Sequence, residues 1–141
     1  MDGMDDPFEH ERLHWAAAAG DLELVKALVA EGCDVNAFDD LGWTPLHHAA
    51  REEHLDVAAF LLAIGAQADA RCEAMIGDTA LRTVADTCSL DMARLLVAAG
   101  ADPTIRGWMQ INALDRAVTR RRGDGPAVYA LLIAAAAGRR G

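Results

Sequence analysis

Five residues near the start of the chain, His10-Glu11-Arg12-Leu13-His14, have the spacing of a zinc hydrolase site. On a helix, two histidines at i and i+4 share one face and can hold Zn²⁺, while the glutamate between them activates a water. No convincing third ligand follows, and patterns this short also arise by chance. His47-His48 is a weaker metal candidate, because adjacent helical residues point about 100° apart. Arg120-Arg121-Arg122 and Arg139-Arg140 could meet phosphate, but two short clusters on a chain of net charge −9 make a poor nucleic-acid footprint. A helix C-terminus favours such cations in any case. No Ser/His/Asp set, phosphate-cradling glycine loop or isolated carboxylate pair offers a catalytic centre. The residues point away from an enzyme, with a zinc-dependent hydrolase as the alternative, and no cofactor is expected.

Any site must be positioned by a chain of 141 residues, which suits a single domain with a core of its own. Apolar residues make up 52% of it, but they are mainly Ala and Leu, and aromatics are only 5%, a balance that favours closely packed helices over sheets. The N-terminal Met1-Asp2-Gly3-Met4-Asp5-Asp6 has no basic region leading into an apolar core. The longest apolar run, 127–137, falls well short of the roughly 20 residues that span a bilayer. Cys33, Cys72 and Cys88 are odd in number and lack Cys-x-x-Cys spacing, so they read as reduced thiols. A soluble, cytoplasmic protein is expected. Abundant Ala and Arg beside a single lysine, Lys26, suit a GC-rich, bacterial genome. The charge is unevenly spread: residues 1–78 carry 17 acids and 4 bases, and residues 79–141 carry 5 acids and 9 bases, which is −13 against +4.

The organising feature is an internal repeat. A shift of 33 lays Leu13-His14 on Leu46-His47, Ala16-Ala17 on Ala49-Ala50, Leu28 on Leu61, Gly32 on Gly65 and Ala37 on Ala70. A shift of 35 then carries Gly42 onto Gly77, Thr44 onto Thr79, Leu46 onto Leu81, Leu61 onto Leu96 and Gly65-Ala66 onto Gly100-Ala101, a third copy with two extra residues. A fourth copy, with Leu114 and Val118, is degenerate. Its last helix can be aligned through Leu131 on Leu95 or through Gly138 on Gly100, but not both. Each copy reads as helix, turn, helix and loop. In the second, Thr44 is the N-cap, Pro45 takes the first helical position where its missing N–H costs nothing, and Gly65 ends the second helix in the left-handed region. In the fourth, Asn112 is a competent N-cap. Such a pair cannot bury its apolar faces alone, so the copies must stack.

Asp39-Asp40-Leu41-Gly42-Trp43-Thr44-Pro45-Leu46-His47-His48-Ala49-Ala50, followed by Leu55, Leu61-Leu62 and Gly65-Ala66, resembles a nearly complete ankyrin repeat. The resemblance covers about residues 6–138. It implies an all-α fold, a single solenoid domain over 1–141 with repeats at about 6–37, 38–70, 71–104 and 105–138. Helix-turn-helix pairs would stack and project β-hairpin-like finger loops. It also implies that His14, aligned with His47, holds a structural post near its helix start. The first copy lacks the finger glycine and Thr-Pro, and Asp6-Pro7-Phe8-Glu9 offers it an earlier start. Ala80 and Arg82 replace Pro and His in the third copy, which should weaken it. Glu53 and Cys88 replace the inter-helix glycine, which would place both in the left-handed region at about 1 kcal/mol each.

The same resemblance implies a concave binding face for a partner protein. Its finger positions are Asp40, Leu41 and Trp43, then Met75, Ile76 and Asp78, then Trp108, Met109 and Ile111. Its helical positions are Arg51 and Glu52, Asp86 and Thr87, and Thr119 and Arg120, with Trp15 extending it in the first copy. Apolar fingers suit an interface core, with Trp43 and Trp108 as anchors, although Ile76 and Ile111 could equally pack finger on finger. The acidic N-terminal half would attract a basic partner surface, which suits an inhibitor or immunity protein. The last helix is apolar nearly all round: either small Ala residues make exposure tolerable, or Tyr129 and Ile133 meet a partner or a second copy. A monomer is expected, with no nucleic-acid or membrane partner. The zinc alternative has a direct check: metal analysis of the purified protein is expected to find no stoichiometric zinc.

Overall fold

The computed structural model describes residues 11–72, 77–106, 109, 111–118 and 125–140. They form eight α-helices in four pairs: α1 (Arg12–Ala19) with α2 (Leu22–Ala30), α3 (Pro45–Arg51) with α4 (Leu55–Ala63), α5 (Ala80–Val84) with α6 (Leu90–Ala98), and α7 (Ala113–Val118) with α8 (Gly125–Arg140). Among the described residues there is no strand. The first helices form one row, α1 on α3 on α5 on α7, and the second helices another, α2 on α4 on α6 on α8. Leu13, Leu28, Leu46, Leu61, Leu81, Leu96 and Leu132 are fully buried between the rows, each stabilising by about 2 kcal/mol. Alanines fill the gaps: Ala17, Ala49, Ala50, Ala58, Ala85 and Ala93 are wholly buried, so short helices can approach closely.

Capping chemistry sets the boundaries. The Asp21 carboxylate accepts from Leu24 N–H, Thr79 Oγ1 from Arg82 N–H and Ser89 Oγ from Met92 N–H, each at 3.1 Å. Asn112 caps α7 reciprocally: its Oδ1 accepts from Asp115 N–H, and its own N–H donates to Asp115 Oδ2. Gly32, Gly65 and Gly100 close α2, α4 and α6 at φ of 103°, 112° and 98°. The inter-helix turns differ from the sequence expectation. Glu53 is left-handed at φ 62°, and its Oε2 accepts from Ser89 N–H of the next repeat at 3.1 Å, which offsets the strain. Cys88 is not left-handed. The chain leaves α5 early, and the N–H groups of Thr87 and Cys88 both reach Val84 O, at 2.9 and 2.7 Å.

The register of α8 is now settled. Val128 and Leu132 are buried as Met92 and Leu96 are, so Leu131 takes the place of Leu95. The helix runs straight through Gly138, which caps nothing.

Two sets of hydrogen bonds link neighbouring repeats. On one side of the stack, Asn36 Oδ1 accepts from Gln67 N–H and Asp69 Oδ1 from Asp102 N–H, both at 2.8 Å. On the other, a side chain near the start of α1, α3 and α5 donates to a backbone carbonyl ahead of it. His14 Nε2 donates to Ala37 O (2.8 Å), His47 Nε2 to Asp78 O (2.6 Å) and Arg82 Nε to Ile111 O (2.7 Å). Arg82 thus takes over the task of the histidine it replaces. Its Nη1 also lies 2.8 Å from Asp78 Oδ1, an ion pair too oblique for a hydrogen bond.

The His47 tautomer follows from its partners. The backbone N–H of Thr44 can only donate, and it points at His47 Nδ1 (3.1 Å), as does the Thr44 hydroxyl (2.9 Å). Nδ1 is therefore bare and the proton sits on Nε2. Burial holds this imidazole neutral, with its pKa pushed down to about 4.

Two outcomes are expected. Gly20, at φ 75°, closes α1, and a Cβ there would lie 2.6 Å from the His54 ring, which is anchored by donating Nε2–H to Ala18 O. Gly20→Ala should cost about 2 kcal/mol, read by urea denaturation. For His47, the unfolded chain binds the extra proton between pH 6.5 and about 4, so its contribution is complete above pH 6.5 and lost as pH falls through that window. The stability gap between wild type and His47→Gln should narrow between pH 7 and pH 4.

Candidate protein-binding face

The second finger is built around Asp39. Its N–H donates to Trp43 O at 2.8 Å, closing a turn, and its Oδ1 accepts from the N–H groups of Leu41 (2.9 Å) and Trp43 (3.0 Å). Its Oδ2 accepts from His48 Nε2 at 2.7 Å. Burial works against the charge on Asp39, but the His48 bond and these two N–H donors outweigh it and hold the pKa below the usual carboxylate value. The carboxylate therefore anchors the finger to α3.

Trp43 leaves this turn half-buried. Its ring stacks on His47 (6.1 Å between centroids) and meets His48 edge-on (5.2 Å), while the Arg51 guanidinium lies over it at 5.4 Å. His48 in turn meets the His14 ring edge-on at 5.9 Å. His14 is buried and its pKa is lowered by that burial, like that of His47. Its Nδ1 has no hydrogen-bond partner among the described residues, because the first repeat lacks the threonine that serves His47. The rings of two repeats thus form one block, from which Leu41 projects at 57% exposure with Asp40 and Phe38 beside it.

The remaining candidates divide. Arg51 and Glu52 are exposed at the end of α3, and Thr87 is exposed beyond α5. Asp86 is half-buried and accepts from Arg116 Nη2 at 2.8 Å, a bond across two repeats. Met109 is 66% exposed, with φ 59°. Ile111 is half-buried and Trp15 is exposed. Asp78 is buried, with its carboxylate beside Arg82 and its carbonyl accepting from His47. Met75, Ile76, Trp108, Thr119 and Arg120 lie outside the described residues, as do His10 and the segment Asp6-Pro7-Phe8-Glu9. Of the zinc pattern, Glu11 Oε2 accepts from Asp40 N–H at 3.2 Å and His14 donates to Ala37 O. Among the described residues, no three His, Cys, Asp or Glu side chains are grouped to hold a metal, and no helix is long and apolar enough to cross a membrane.

Sequence reasoning missed three contributors. Asp39 was legible as part of the repeated pattern but not as its organiser. Arg82 could have been found from its alignment with His47. The Asp86–Arg116 pair has no local signal, since its partners are 30 residues apart.

Comparison with known proteins agrees with this geometry. A family model for ankyrin repeats in three copies matches residues 13–107. Human protein phosphatase 1 regulatory subunit 27 is 47% identical over 58 residues, 41% of this chain and 38% of that protein. Mouse ankyrin repeat domain-containing protein 40 is 46% identical over 59 residues, 41% of this chain and 16% of that protein. The chicken nuclear factor NF-kappa-B p105 subunit is 36% identical over 97 residues, 68% of this chain and 10% of that protein. This chain thus spans well under half the length of these relatives. With the family match extending over more than half of the residues and the stacked helix pairs agreeing with it, the chain belongs to the ankyrin-repeat family.

Proposed function

We propose that this chain binds another protein through its second and fourth fingers and the adjoining ends of the first helices, and performs no catalysis itself. The observation that carries this is the exposure of Leu41 and Met109 on finger loops above a fully packed stack. Water gains nothing from large apolar side chains at loop tips, whereas a partner's surface would bury them. Trp43, pinned between His47, His48 and Arg51, supplies a rigid aromatic edge next to Leu41 at little cost in lost rotamer freedom. Binding without chemistry also fits the structural hydrogen bonds that occupy Glu11 and His14.

The partner surface facing the first two repeats is basic, since residues 1–78 carry −13. The action is inhibition or occlusion of that partner by a soluble cytoplasmic protein, as an immunity protein would act. One relative that resembles this chain is itself named as a regulatory subunit, of protein phosphatase 1. The bacterial origin rests on composition alone, while the named relatives are from animals.

Partners captured from the native host and then purified supply the test. Leu41→Asp, at a side chain 57% exposed, should weaken binding about tenfold or more with melting little changed. Trp43→Ala should weaken it further and lower the melting temperature by removing the His47 stack. Association should slow as salt rises. Unchanged affinity in both Leu41→Asp and Met109→Asp would remove the fingers from the account.

A further inference from the structure

Arg12, Arg71, Arg82 and Arg116 all find acceptors within the chain. Arg12 pairs with Glu31 (3.7 Å), Arg82 with Asp78 and Arg116 with Asp86 (2.8 Å each), and Arg71 Nη1 donates to Arg106 O at 3.0 Å. Arg51 does not. Its guanidinium lies over the Trp43 ring at 5.4 Å, and it makes no hydrogen bond or ion pair among the described residues. The repeat shows why. Under the 35-residue shift Arg51 occupies the position of Asp86, which meets Arg116 of the following repeat. The residue in the place of Arg116, one repeat earlier, is Thr83. It carries no charge, and its hydroxyl donates to Thr79 O at 2.9 Å. The place from which an acid would meet Arg51 is thus filled by a side chain that offers none.

Stacking on an indole fixes the plane of a guanidinium, and the exposure of Arg51 leaves its N–H edge to solvent. A planar fork so held matches a carboxylate with two parallel hydrogen bonds, and little rotamer freedom is left to lose on binding. The indole beneath is itself held by His47 and His48, so the fork stands on a packed support. Exposed carboxylates lie on either side in the chain: Glu52 follows Arg51, and Asp40 precedes the 57% exposed Leu41 on the finger. They oppose a dianion such as phosphate more strongly than a single negative charge, and they favour basic neighbours around it.

We propose that Arg51, stacked on Trp43, is the receptor for a carboxylate of the bound protein, an Asp or Glu set among basic and apolar residues. This rests on the finger face being the binding surface. It adds a requirement that apolar burial and bulk charge do not contain, namely one acid near the Leu41 contact in a surface otherwise basic. Arg51 then selects among basic partners, where the acidic half of the chain only attracts them.

Selection from a displayed library of random peptides on the immobilised protein supplies the probe. Peptides enriched on wild type should carry an acid among basic and apolar residues. The acid should drop out of those enriched on Arg51→Lys, which keeps the charge but not the fork. For a peptide selected on wild type, replacing its Glu by Gln should weaken binding to wild type about tenfold and leave affinity for Arg51→Ala unchanged. Circular dichroism establishes that the variants fold. Peptides that lose affinity with Leu41→Asp, yet carry no acid or bind Arg51→Ala as well as wild type, overturn this inference and leave the binding face standing. Phosphoserine that binds more tightly than glutamate at the same place overturns the carboxylate assignment. Peptides indifferent to both Leu41→Asp and Met109→Asp overturn the binding face itself, and this inference with it.

Discussion

Two short helices joined by a tight turn have an apolar face on either side and nothing of their own to set against them. Everything in this molecule answers that constraint. Val57 and Met92 are wholly buried only because another pair precedes them, and Val25, Ala58 and Ala93 only because another pair follows. Stability is then a sum over neighbours rather than the property of one central core. Leucines are buried between the two helix rows, and the buried alanines let the short helices lie close together.

Stacking also brings loop backbone together, and its carbonyls need donors. The chain meets this need with a side chain from the preceding repeat, and the chemistry of that side chain varies. His47 does it as a neutral ring whose other nitrogen is occupied by the Thr44 cap, so helix start and repeat boundary share one residue. Arg82 does it with a fixed charge, which requires an acid nearby, and Asp78 provides one. The first keeps its proton count constant at neutral pH but is undone by acid; the second is insensitive to mild acid but keeps an ion pair largely away from water.

Much of this was legible in the residues. The 33- and 35-residue shifts, Thr44-Pro45, Asn112 and the three glycines at helix ends gave the pair boundaries, because each depends on local geometry that few residue types satisfy. Cys88 misled, since alignment with Gly20 and Glu53 assumes that the preceding helix ends at the same place, and α5 ends sooner. The last helix was ambiguous because its two alignment signals conflicted, and only burial of Val128 and Leu132 decides between them. The binding face was the least legible part. Trp43 reads as a free anchor in sequence but is partly engaged by His47, His48 and Arg51, and Asp78 reads as a finger tip but is buried. Such facts depend on contacts between repeats, which a pattern within one repeat does not encode.

The bonds from Asn36 to Gln67 and from Asp69 to Asp102 span 31 and 33 residues, yet they join equivalent places. The two additional residues of the third copy fall between Arg71 and Gly77, on the finger. One edge of the stack therefore keeps constant spacing while the other changes length. A lineage could extend or trim its reading surface, one loop at a time, without disturbing the frame that carries it.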